Sequence, residues 1–126
     1  MRVTIIPSDN SVTVDGDVRN IDCSSIIAEI HAVQWYETSG EVEYVKGQNI
    51  NPRANDTIDD FSLYQPFVDA HAEEVARVNN LLAQQPYPSW TFSYETETWE
   101  PPKPKPPLAD GQTATWDEAA QKWVVS

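Results

Sequence analysis

Carboxylates are the most abundant reactive groups in this chain, with 20 Asp and Glu against 8 Lys and Arg among 126 residues. Asp15-x-Asp17-x-x-Asn20-x-Asp22 carries oxygen donors at a spacing that suggests a calcium loop. An EF-hand needs glycine at loop position six and a bidentate glutamate at position twelve, where this chain has Asn20 and Ile26. The pattern therefore reads as a solvated acidic turn. Asp59-Asp60 and Glu73-Glu74 are adjacent carboxylates, but acid–base catalysis needs a cleft that drives two pKa values apart. Neighbouring pairs in a loop or on an exposed helix face do not supply one. His31 and His71 lie forty residues apart, outside any zinc-type spacing. His71 falls on the apolar face of a predicted helix and reads as a core histidine satisfied by a hydrogen bond. Cys23 is the single cysteine, so it reads as a small buried residue rather than a nucleophile. There is no G-x-S-x-G and no phosphate-binding glycine loop among only four glycines. The expectation is a protein that is not an enzyme and uses neither metal nor cofactor.

A net charge of −12 repels phosphate backbones, so no nucleic-acid partner is expected. No apolar run approaches the roughly 18 residues that span a bilayer. The opening Met1-Arg2-Val3-Thr4 leads into a strand rather than a signal-peptide core. No membrane partner is expected, and the sequon Asn55-Asp56-Thr57 reads as chance.

The aromatic residues carry a stronger signal. Four of the five tryptophans sit in two units near the carboxy end, residues 89–100 and 114–124. Superposing Phe92 on Trp116 also superposes Trp99 on Trp123, so an aromatic-x6-aromatic spacing occurs twice. In each unit, β-formers flank an acidic stretch, which predicts a short hairpin with its aromatics facing across the ladder. Isolated hairpins are marginal in water, so the two must stack on each other, on the body or on a partner. Trp90, Phe92, Trp99, Trp116 and Trp123 are the candidate binding anchors, since large aromatics bury much area with little rotamer entropy. The competing reading is that they form small structural cores. Aromatic platforms beside carboxylates also suit sugar rings, so a glycan is a third possibility.

These units need positioning elements. Residues 2–6 and 11–14 are β-rich around the turn Pro7-Ser8-Asp9-Asn10, and a strand around Val18 to Ile21 follows Asp15-Gly16. Residues 24–30 suggest a single helical turn. Residues 32–36 and 41–45 alternate around Thr38-Ser39-Gly40 and predict a second hairpin, while 46–60 read as loop. The best helix runs from Pro66 to about Gln84. It has Phe67, Val68, His71, Val75, Val78 and Leu82 in a stripe about 100° wide, and Glu73 and Arg77 ordered for an i,i+4 pair. Seven of the ten prolines lie between Pro86 and Pro107, so that region reads as a stiff polyproline II spacer. The predicted fold class is α+β: about four antiparallel strands covered by one amphipathic helix over residues 1–85, then two Trp hairpins joined by a proline spacer over residues 86–126.

Val3-Thr4-Ile5-Ile6-Pro7-Ser8-Asp9, Val12-x-Val14-Asp15-Gly16, His31-Ala32-Val33-Gln34-Trp35-Tyr36, Gly40-Glu41-Val42-Glu43 and Tyr64-Gln65-Pro66 together resemble a group of small acidic bacteriophage proteins. Tyr87-Pro88-Ser89-Trp90-Thr91-Phe92, Trp99-Glu100-Pro101-Pro102, Asp110-Gly111 and Trp116-Asp117-Glu118 through Trp123-Val124 resemble a module recurring at the carboxy ends of proteins from tailed marine phages. The resemblance covers most of the chain and implies a structural or assembly protein of the tail or tail fibre. Its partner would be a phage tail or tail-fibre protein, with the chain oligomeric in a particle, and it would reside in the virion or in the host cytoplasm during assembly. It brings no catalytic residues. A particle-surface module touching host glycans is the alternative, and an acidic mimic of nucleic acid acting on host machinery is a third reading.

Overall fold

The computed structural model describes residues 1–126. It divides into two compact units, Met1–Ala76 and Arg77–Ser126. The fold is α+β, with one antiparallel sheet, one long helix and two separate hairpins.

The sheet lies in the first unit. Its strands are β1 (Arg2–Ile6), β2 (Ser11–Val14), β3 (Asp17–Asn20), β4 (Ile30–Tyr36), β5 (Ser39–Tyr44) and β6 (Asp56–Ile58), in the spatial order β3-β2-β1-β4-β5-β6. Alternation sends Val3 and Ile5 to one face. Register places Val14 and Trp35 on either side of Val3, and Val12 and Val33 on either side of Ile5. Ile5, Val12 and Val33 are completely enclosed as a result. Trp35 stacks on Phe61 with ring centroids 4.9 Å apart, extending the core beyond the strands.

Turn chemistry sets this register. Asp15 and Gly16, both at positive φ, form the two-residue connection from β2 to β3. The turn between β4 and β5 is Glu37-Thr38, one residue earlier than the sequence suggests, and Gly40 lies inside β5 opposite Trp35. Gly40 is needed there for close approach: a Cβ would collide with the Gln34 carbonyl and lie 3.0 Å from the Trp35 Cα.

Two local expectations are corrected. Residues 24–30 form two separate turns, Ile26 N–H to the Cys23 carbonyl (3.0 Å) and Ile30 N–H to that of Ile27 (3.1 Å), rather than a helical turn. The Asp22 carboxylate accepts the Ser24 N–H at 2.9 Å, a side-chain bond that competes with helix formation. The segment read as loop contains β6, and with β6 and the strand at Val18 both counted the sheet has six strands rather than about four. Three residues carry no visible alternation, so pairing to β5 decides their state. The Tyr44 hydroxyl donates to the Asp56 carboxylate, and the Arg53 guanidinium sits 3.7 Å from the Tyr44 ring centroid, tying the loop to the strand.

The helix α1 (Gln65–Leu82) carries Pro66 in its first turn, as expected. Phe67, Val68 and Ala70 pack on the sheet core. His71 is buried, and its Nε2 lies 2.8 Å from the Asp17 carbonyl and 3.2 Å from the Asp17 carboxylate. A carbonyl only accepts, so Nε2 carries the proton. The Asp17 carboxyl is held below its usual range, first by its hydrogen bond from Arg19. The boundary between the compact units falls within α1, after Ala76, whereas the sequence places it after residue 85. No helix is long and apolar enough to cross a membrane.

Two substitutions test this account of the core. Gly40→Ala is expected to destabilise the chain by at least about 1–3 kcal/mol through overpacking. Ile5→Ala is expected to cost about 2–5 kcal/mol through the cavity it leaves. Urea unfolding followed by far-UV circular dichroism measures both, and a midpoint unchanged in either variant contradicts the register described.

Candidate functional site

The second unit turns the sequence repeat into a structural one. β7 (Thr91–Ser93) pairs with β8 (Thr98–Glu100), and β9 (Ala114–Asp117) pairs with β10 (Lys122–Val125). Phe92 lies directly opposite Trp99, and Trp116 directly opposite Trp123. Their ring centroids are 5.3 and 5.4 Å apart, with interplanar angles of 64° and 71°. These edge-to-face contacts are what cross-strand aromatics adopt when positive ring edge meets negative face. The loops repeat as well. Ser93 Oγ accepts the Thr96 N–H at 3.3 Å, and Asp117 Oδ1 accepts the Ala120 N–H at 3.2 Å. Each loop then closes through a positive-φ residue, Glu97 or Gln121.

Trp90 joins the hairpins. Its ring lies 6.0 Å from both Trp116 and Trp123 and 5.5 Å from Tyr87. Glu118 holds this cluster from one side: its carboxylate accepts the Trp116 indole N–H at 2.9 Å, the Ser89 hydroxyl at 2.8 Å and the Ser89 N–H at 3.1 Å. These donors hold the Glu118 carboxyl below the usual glutamate range, the Trp116 bond contributing most. Trp99 donates its indole N–H to the Leu81 carbonyl at 2.9 Å near the end of α1. Arg77 makes a bidentate pair with Glu97, which lowers the Glu97 carboxyl chiefly by hydrogen bonding. The last turns of the helix thereby become part of the aromatic unit.

The five predicted anchors are brought into one module, but none projects as a free side chain. Trp116 is buried, and Trp90, Phe92, Trp99 and Trp123 are half-buried. Trp123 donates to the Lys103 carbonyl at 2.9 Å, so the proline run is bound to the second hairpin rather than standing off as a spacer. What remains open is a groove of about 450 Å³ walled by Trp90, Trp123, Pro101, Pro102 and Pro104, with Glu100 and Lys105 also lining it. The Trp90 indole N–H is buried without an acceptor. Such a group costs about 1–3 kcal/mol of desolvation.

Sequence reasoning missed Glu118, whose role depends on Ser89 arriving from 29 residues away. It also missed Tyr94, 70% exposed at the tip of the first hairpin. In the first unit it missed an apolar cleft of about 380 Å³ lined by Ile26, Ile27, Ile30, Leu63, Tyr64 and Phe67. Leu63 is 74% exposed and Ile27 57% exposed, an unusual display for large aliphatics on adjoining walls.

Several of the residues weighed for other chemistry serve local structure. Asp15 accepts the Arg2 N–H and Asp60 accepts the Ser62 N–H; of the acidic segment, Asp15 lies in a turn, Asp17–Asn20 form β3, and Asp22 follows the strand. No three His, Cys, Asp or Glu side chains converge as metal ligands. Cys23 is buried, its thiol donates to the Ile21 carbonyl, and burial pushes its pKa up.

Because Glu118 and Glu97 both titrate below their unfolded values, the stability they add is present above the unfolded pKa and lost as pH falls through the folded one. The melting temperature of the aromatic unit, followed by tryptophan fluorescence, is expected to fall as pH drops below about 4.3. Glu118→Gln is expected to lower it at neutral pH, with the difference from wild type closing in acid. A difference that is constant with pH contradicts the role of the carboxylate.

Comparison with known proteins finds no matching family model, no matching curated protein and no matching solved structure.

Proposed function

We propose that this chain is a non-enzymatic structural or assembly protein of a tailed bacteriophage, associated with the tail or tail fibre, that works by binding a partner protein. The observation that supports this reading is the Trp90–Trp123 groove on a frame locked by Glu118. A concave, largely apolar wall whose side chains are already ordered gives affinity without a large entropy loss on binding. The exposed Leu63 and Ile27 cleft on the first unit is a second surface of the same apolar kind. The resemblance of both halves to phage proteins supplies the setting, in the virion or in host cytoplasm during assembly. Oligomerisation within a particle belongs to the same reading.

A second reading has its own support. Glu100 and Lys105 line the groove beside two indole rings, and a sugar ring stacked on an indole uses such charged groups for its hydroxyls. A host glycan is therefore the alternative ligand.

Trp123→Ala and Leu63→Ala, each confirmed folded by its melting curve, separate these possibilities. An anchor is expected to cost about 2 kcal/mol or more of partner binding, roughly thirtyfold in affinity. Binding is measured against purified tail and tail-fibre proteins and against a glycan panel. Lost protein binding supports the assembly role, and lost glycan binding with protein binding intact moves the function to host recognition. Unchanged binding in both variants removes these two surfaces from the function.

A further inference from the structure

The second hairpin is hydrogen-bonded to the proline run of its own chain. Pro101-Pro102-Lys103-Pro104-Lys105-Pro106-Pro107 has five prolines in seven residues. Each proline locks its own φ and drives the residue before it toward extended geometry, and the segment bends once, at Pro102 and Lys103. Its five prolines have no N–H to donate, so carbonyls along the segment are left to accept from whatever donor lies alongside. Trp123 is that donor, with its indole N–H 2.9 Å from the Lys103 carbonyl. Pro101, Pro102 and Pro104 form the facing wall of the groove. An indole that donates to a backbone carbonyl while prolines line the same groove is how aromatic grooves read proline-rich segments.

The intramolecular segment does not use up the site. About 450 Å³ of groove stays open between the indoles and the prolines. Trp90 lines the same wall, with its own indole N–H buried and without an acceptor. We infer that the Trp90–Trp123 groove is a receptor for a proline-rich, basic segment of another protein, and that residues 101–107 occupy part of it in cis as a competing pseudo-ligand. Basic character follows from charge. The chain carries −12 overall, and its own seated segment bears two of its eight basic residues, Lys103 and Lys105. Tethering gives the cis segment an effective concentration in the millimolar range, so an external segment must displace it or add beside it. This inference rests on the protein-binding reading above and names the chemistry of that partner.

The test uses the full-length, ¹⁵N-labelled chain and a synthetic peptide spanning residues 100–108. In wild type, millimolar peptide is expected to shift the Trp90 and Trp123 indole N–H resonances while that of Trp99 stays in place. The double variant Pro102→Ala/Pro104→Ala weakens the cis segment, and it is expected to bind the peptide at least tenfold more tightly than wild type. Adding Trp123→Phe to that variant is expected to cost at least tenfold, since phenylalanine keeps an aromatic ring but has no donor. A peptide with its prolines replaced by alanine is expected not to bind. If the double variant unfolds, the wild-type titration still decides the matter.

Resonances that stay fixed with peptide in both proteins overturn the inference, as does equal binding of the alanine peptide. Concentration-dependent dimerisation with exchange of residues 101–107 between copies also overturns it, because the occupant is then a second copy of this chain. Peptide binding through Trp123 with unchanged capture of tail and fibre proteins retires the functional reading and leaves the receptor intact. Loss of capture in Trp123→Ala without any peptide binding does the reverse.

Discussion

Trp116 and Trp123 meet edge to face across a ladder of four residue pairs, with Trp90 against both rings. The second unit depends on this three-ring contact. Hairpins with strands of three or four residues are not stable alone, because the loop entropy they fix exceeds what two short strands return. The cluster offsets that cost by removing large aromatic area from water. Neighbouring elements are then attached by hydrogen bonds: α1 accepts from the Trp99 indole, Ser89 donates to the Glu118 carboxylate that also accepts from Trp116, and the proline run accepts from the Trp123 indole.

The same contact limits what the aromatics can do. An indole wholly committed to internal packing cannot also reach into a partner, so Trp116 is a framework residue. Trp90 and Trp123 are different, because each has a face in the groove as well as a neighbour in the cluster. Binding there would draw on side chains whose rotamers are already restricted. Tyr94 has the opposite character. It is exposed at a hairpin tip, although its ring touches Phe92 at 5.1 Å.

The first unit follows a separate logic. Its core is aliphatic and is built from cross-strand neighbours, with Trp35 and Phe61 at one end and the first turns of α1 over the sheet. Polar groups enter that core under hydrogen-bond control, as His71 does against the Asp17 backbone. The acidic residues that dominate the composition mostly cap turns or face solvent. High net charge here is a property of the surface and does not mark a reactive centre.

Strand and helix identity were legible in the sequence wherever a period was long enough to read. The alternation of β1, β2, β4 and β5, the 3.6-residue stripe of α1 and the twofold aromatic spacing all determine local geometry by which face each side chain must take. Asp15-Gly16 could be read for the same reason, since positive φ is a local demand. Tertiary structure alone decided β6, the place of Gly40 and the partners of the tryptophans. A three-residue edge strand exists because β5 offers it hydrogen bonds, and Gly40 is required because Trp35 lies across the ladder. Glu118 binds Ser89, Arg77 pairs with Glu97, and the Lys103 carbonyl accepts the Trp123 indole N–H through contacts 20 to 29 residues apart. Composition and spacing state which groups can donate and accept, but the pairing depends on how the chain returns on itself, and no local period records that.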